Sequence, residues 1–165
     1  MTEQKKPWFV GERAEALAGL FLLDMNPDYL GKPVAGHAPY DFLVTFTRTD
    51  KSLITVAVEV KGTERPLINP HRLLLPRGQV QAMENSNTPF LIVVVDVKRN
   101  DIGFNWASCL KIKDGRVKMV SHSRYDLPIR KNAPEEIRKL KHEIFGEQSP
   151  ALFRETRGGS REGEA

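Results

Sequence analysis

The chain has 165 residues, a net charge of +4 and a single cysteine, Cys109. That length suits one domain, and one cysteine excludes an internal disulfide or a cysteine-based zinc cluster. The isoelectric point of about 9.3 suits a polyanionic partner without requiring one, and the absence of a run of about 18 apolar residues argues against a membrane span. The opening MTEQKKPW lacks the apolar stretch of a signal peptide, so a reducing cytoplasm is the expected compartment. Cys109 reads as a small buried hydrophobe.

Residues 1–9 read as an N-terminal arm and residues 10–145 as one domain. Residues 146–165 read as a disordered tail, dispensable for folding, because Leu152 and Phe153 are nearly all its apolar content. Residues 11–24 read as a helix stopped by Asn26-Pro27. Glu12, Glu15, Ala16 and Gly19 share a sector opposite Ala14, Leu17 and Phe21. Residues 28–39 are rich in Gly and Pro, with a short strand expected near Val34. In residues 40–47, Phe42, Val44 and Phe46 face one way and Asp41, Leu43 and Thr45 the other. A polar turn at 48–51 joins this strand in a hairpin to residues 52–63, SLITVAVEVKGT.

Residues 62–75 read as a loop containing Pro66, Pro70, His71 and Arg72, and residues 76–85 as a short helix. The continuous apolar run ending at Val97, opened by Pro89-Phe90, reads as a central strand buried on both faces. Two weaker strands are expected at 104–112 and 117–122, with Asp114-Gly115 as the turn between them. Residues 133–145 read as a helix. Pro134 suits its first turn, Glu135 and Glu136 suit its dipole, and Ile137, Leu140 and Ile144 form its apolar stripe. The sum is a mixed α/β sheet with helices packed on it. Trp8 and Trp106 read as core residues.

The chemistry gathers at the end of the 52–63 strand. Ile54, Val56, Val58 and Val60 share one face; Ala57, Glu59 and Lys61 share the other. Charges on an apolar strand are costly to bury without partners. Either the strand end is open to water or the charges have a task. If the hairpin brings Asp41 beside Glu59, the two carboxylates repel unless a cation lies between them. Two hard oxygen ligands with room for water suit Mg²⁺. Lys61 reaches the same point, where an ammonium favours a hydroxide and a metal stabilises charge on phosphate oxygens.

Asp41, followed 18 positions later by Glu59-Val60-Lys61, resembles the PD-(D/E)XK nuclease superfamily. That group includes restriction endonucleases and archaeal Holliday-junction resolvases. The resemblance implies an α/β fold with a restriction-endonuclease-like core, a mixed central β-sheet flanked by helices in αβββαβ order across residues 11–97. It implies that Asp41, Glu59 and the Val60 carbonyl bind Mg²⁺ or Mn²⁺ and that Lys61 acts on the water. It also implies a glutamate on the first helix, matched by Glu12 with Glu15 second, and a glutamine on the next helix, matched by Gln81 or Gln79. Tyr40 separates Pro39 from Asp41 where the name-giving pair is Pro-Asp.

His37 and His71, in loops, are candidate substrate contacts, and Lys5, Lys6, Arg72 and Arg77 are candidate phosphate contacts. The expected function is metal-dependent hydrolysis of DNA phosphodiester bonds. The alternative is a non-catalytic module that keeps the fold and binds nucleic acid or a protein. A third reading is a subunit that acts as a homodimer or with a partner chain, since 165 residues leave little room for a sequence-reading domain.

Overall fold

The computed structural model describes residues 7–33, 38–112, 122–146 and 149–154. Helix α1 (Pro7–Leu23) leads into β1 (Tyr29–Gly31), β2 (Phe42–Thr47) and β3 (Leu53–Thr63). Then come β4 (His71–Pro76), α2 (Arg77–Asn85), β5 (Phe90–Asp96) and β6 (Asp101–Trp106). A 3-10 turn (Ala107–Cys109), β7 (Lys111–Ile112), β8 (His122–Leu127), β9 (Arg130–Lys131) and α3 (Pro134–Phe145) follow.

Among the described residues the main sheet runs β1-β2-β3-β5-β6-β9. It is mixed: β3 and β5 are parallel, and the remaining neighbours are antiparallel. The parallel pair needs a crossover, which β4 and α2 supply. Every residue of β5 is buried, as expected of a strand covered on both faces. Leu91, Val93 and Val95 face a first core with Ala14, Ala18, Phe21 and Leu22 of α1 and Leu140 and Ile144 of α3. Phe90, Ile92 and Val94 face a second core closed by Val80 and Met83 of α2 and by a second sheet, β4-β8-β7. The central architecture, a mixed α/β sheet flanked by helices, is the one expected from sequence.

Several local expectations are corrected. The first helix begins at Pro7, so residues 7–9 belong to it rather than to an arm. Residues 71–76 form β4 instead of loop, because Leu73 and Leu75 alternate into the second core and pair with β8. Strand β6 begins at Asp101 and ends at Trp106, where the 3-10 turn breaks the run expected to reach Ile112. The tail expectation is also overturned in part: Phe153 is 3% exposed in the second core. The expected strand near Val34, the Asp114-Gly115 turn and most of the expected 117–122 strand lie outside the described residues, as do 147–148 and 155–165.

One close approach holds α1 against the sheet. A Cβ built on Gly62 would lie 3.0 Å from the Ala14 Cβ and 3.1 Å from both the Val10 Cγ1 and the Val10 carbonyl oxygen. The missing side chain lets the helix cross the end of β3 at that distance. Gly62→Ala should therefore lower stability by about 1–3 kcal/mol through overpacking, read by chemical denaturation. Phe153→Ala should cost about 3 kcal/mol or more, and an unchanged denaturation midpoint would mean that the segment from 149 to 154 does not dock in solution.

Candidate active site

The hairpin register runs from Phe42 opposite Val58 to Thr47 opposite Leu53. One step further back, the Asp41 amide donates to the Val58 carbonyl at 2.8 Å, which sets Asp41 across from Glu59. The Val60 amide then donates to Asp41 Oδ2 at 2.7 Å. The carboxylate is thus tied to the backbone between the two charged residues of β3. Val60 contributes this amide, while its side chain packs into the first core.

Glu59 is 9% exposed and, with Asp96, is one of two buried charged residues among the described residues. Its Oε1 accepts an ion-paired hydrogen bond from Lys61 Nζ at 3.0 Å. Lys61 Nζ also lies 3.5 Å from Gln79 Oε1, and Gln79 Nε2 donates to the Pro39 carbonyl at 3.1 Å. So α2 steadies the ammonium through Gln79, whose own amide is anchored on the turn before β2.

From α1, the Glu15 carboxylate is near enough to add a smaller upward push on the Asp41 acid. Burial is the largest cause and the Glu59 carboxylate the next; together they push Asp41 up from 3.8 to about 7, against the opposing Val60 amide. Lys32 pairs with Glu15 at 3.2 Å and sits 5.3 Å from the centroid of the Phe42 ring. The cluster therefore joins Glu15, Asp41, Glu59, Lys61 and Gln79, with Lys32 behind Glu15.

Two sequence expectations shift by a fraction of a helical turn. Glu12 is exposed and lies beside Phe9 and Arg13 rather than at the cluster. Glu15 takes its place because it flanks the buried Ala14–Ala18 row, whereas Glu12 is turned most of the way to solvent at 3.6 residues per turn. On α2, Gln79 faces the site while Gln81, two residues later and so on another side of the helix, is exposed. Arg72 and Arg77 are exposed on β4 and at the start of α2. His71 stands at the opposite end of β4 from α2, on the order of 20 Å of chain from Arg77. Its imidazole is half-buried, which lowers its pKa, and its Nδ1 has no hydrogen-bond partner among the described residues. His37, Lys5 and Lys6 lie outside the described residues. Lys32 and the Pro39 carbonyl were not singled out from sequence, because a Gly- and Pro-rich stretch carries no periodicity to place them.

Among the described residues, no set of three His, Cys, Asp or Glu side chains is arranged to hold a metal ion. The pair Asp41–Glu59 is the acidic core of the site. No protein-family model matches the chain, and no curated protein matches it. A solved bacterial homing endonuclease is similar over 70% of this chain and 84% of its own, at 14% sequence identity and a TM-score of 0.37. No helix among the described residues is long and apolar enough to cross a membrane.

The raised acid has a sign that can be checked. Asp41 ionises near 3.8 when unfolded and near 7 when folded, so the fold is favoured while the acid stays protonated and loses that advantage as pH rises through the folded value. In chelator, the melting temperature should fall between about pH 4 and pH 7 and level off above that. Asp41→Asn, which keeps an acceptor for the Val60 amide, should flatten that fall. An equally steep fall in the variant would assign it to another group.

Proposed function

We propose that the chain is a divalent-metal-dependent nuclease-like domain that hydrolyses phosphodiester bonds of DNA. Asp41 and Glu59 hold Mg²⁺ or Mn²⁺, and Lys61 assists the attacking water. The reading takes its family from the Asp41…Glu59-Val60-Lys61 pattern, which resembles the PD-(D/E)XK nucleases. The observation that carries it is the pairing of a protonation-shifted Asp41 with a buried Glu59 across one strand register, beside an ammonium. Two facing carboxylates, one of them raised first by burial and then by the charge of the other, would be relieved by a cation between them. Two carboxylates, with waters filling the other positions, also suit Mg²⁺, which needs no third acidic ligand.

When bound there, the cation would supply a more acidic water and neutralise charge on a phosphate oxygen. The chain's own groups do the rest. Asp41 is oriented by the Val60 amide and Glu59 by Lys61. Lys61 Nζ, held by Gln79, is placed to donate toward a developing oxyanion. Gln79 keeps that ammonium from swinging into solvent by anchoring on the Pro39 carbonyl.

A second reading rests on the Lys61–Glu59 ion pair itself. If the two charges only satisfy one another, the domain binds nucleic acid or protein without catalysis. Lys61→Ala separates the readings. Under the nuclease reading it should lower the cleavage rate of plasmid DNA in Mg²⁺ by about 100-fold or more. DNA affinity should be nearly unchanged, and Mg²⁺ affinity unchanged or higher, because a competing cation has been removed. Asp41→Ala and Glu59→Ala should weaken Mg²⁺ binding directly, as read by calorimetry. A parent protein that cuts no plasmid, linear, single-stranded or junction DNA in Mg²⁺ or Mn²⁺, and a Lys61→Ala variant altered only in melting temperature, would favour the binding module.

A further inference from the structure

The β4-β8-β7 sheet stands outside the strands that build the acidic cluster, and its two faces differ in character. Leu73 and Leu75 of β4 and Tyr125 and Leu127 of β8 point into the second core. The alternate residues of β4, Arg72, Leu74 and Pro76, are exposed. The register sets Arg72 across from Asp126 and Leu74 across from Arg124, and Lys111 of β7 across from Asp126. Paired residues in a sheet share a face, so Arg72, Arg124 and Lys111 stand together on the outer side, with Asp126 among them.

The charged surface continues toward the candidate site. Arg77 opens α2 directly after Pro76, and Gln79, two residues on, reaches Lys61. From Arg72 to Arg77 the chain covers roughly 17 Å at ~3.3 Å per residue. That is the rise of about five nucleotides of one strand at ~3.4 Å each. Cations spaced over such a length, on an exposed sheet face that leads into the helix carrying Gln79, match a phosphate backbone in both charge and extent.

We infer that the outer face of the second sheet tracks the sugar-phosphate backbone of DNA and feeds it toward Lys61. The inference rests on the nuclease-like reading and adds to it a binding platform of Arg72, Arg124 and Lys111, built outside the strands that carry the acids. Contacts of this kind position a nucleic acid without reading its sequence. They release counterions, so their signature is a salt dependence.

The test is the affinity of a fluorescent DNA duplex, by anisotropy across a salt series in chelator, so that no strand is cut. Replacing Arg72 and Arg124 together by glutamine should reduce the magnitude of the log-affinity against log-salt slope by about 1.8, or ~0.9 for each lost phosphate contact. The pair replaced by lysine should restore the parent slope, since a phosphate contact accepts a point charge, and this variant also controls for loss of fold. Metal-dependent cleavage by the parent with an unchanged slope in the glutamine variant would overturn the platform and leave the nuclease reading standing. A parent that neither binds nor cuts DNA would overturn both. A slope that falls equally in the glutamine and lysine pairs would also overturn the platform, because the loss would then follow from altered packing around Leu74 and not from charge.

Discussion

The Val60 amide donates to the Asp41 carboxylate across a hairpin whose register puts Asp41 opposite Glu59. That contact ties the turn before β2 to the end of β3, and the other members of the cluster are placed relative to it. Gln79 reaches the same turn through the Pro39 carbonyl. Glu15 comes from a helix that can lie close only because β3 has a glycine, Gly62, where it crosses. A backbone amide is a stronger organiser here than a side chain would be, because it has no rotamer to lose and sits in a ladder fixed on both sides. Glu59 and Lys61 belong to a strand paired with β2 on one side and β5 on the other. A small change in the register of either pairing would turn both charges into the first core.

The position of the cluster follows from incomplete coverage of one sheet face. Helices α1 and α3 close the first core. The second sheet and α2 cover the other face over β5 and part of β3, but Tyr29 of β1 and Leu53 of β3 remain 60% and 68% exposed. Thr45 and Thr55 pair by their hydroxyls on that same open surface. The acids lie where covered sheet gives way to open sheet. Glu59 is dry enough for its charge to bear on Asp41, and Lys61 is 27% exposed and so within reach of a substrate arriving from solvent. A site fully under α2 would be inaccessible, and one far out on β1 would be too well screened by water for the carboxylates to perturb each other.

Much of this was legible in the chain because strand alternation is a short-range code. The β-branched run and the parity of Asp41, Glu59 and Lys61 sufficed to put three site residues on one face. The buried β5 was equally plain as a continuous apolar run. Helix phase was harder to read. Putting Glu12 before Glu15, and leaving Gln81 and Gln79 both open, reflects the rotational setting of a helix, which is decided by what the helix packs on. Strand β4 escaped notice because its partner β8 is some fifty residues away in sequence, and the prolines on its approach read as loop. Phe153 escaped because a lone aromatic in a charged tail carries no periodicity at all. What the chain announces locally was recovered; what depends on distant contacts was not.

The burial of Phe153 bears on how the protein comes to be folded in the first place. The first core lacks Leu140 and Ile144 until α3 has been made, and the second lacks Phe153 until nearly the whole described chain has been made. The parallel join of β3 to β5 is itself a long-range contact that only the later strand can complete. Synthesised from its N-terminus, the chain spends most of its time on the ribosome with apolar sheet faces uncovered. Folding is therefore a late, whole-domain event with slow, non-local closure, and a chain released before α3 is made leaves the first core closed by α1 alone. Until α3 and Phe153 are in place, the nascent chain carries uncovered apolar surface in both cores.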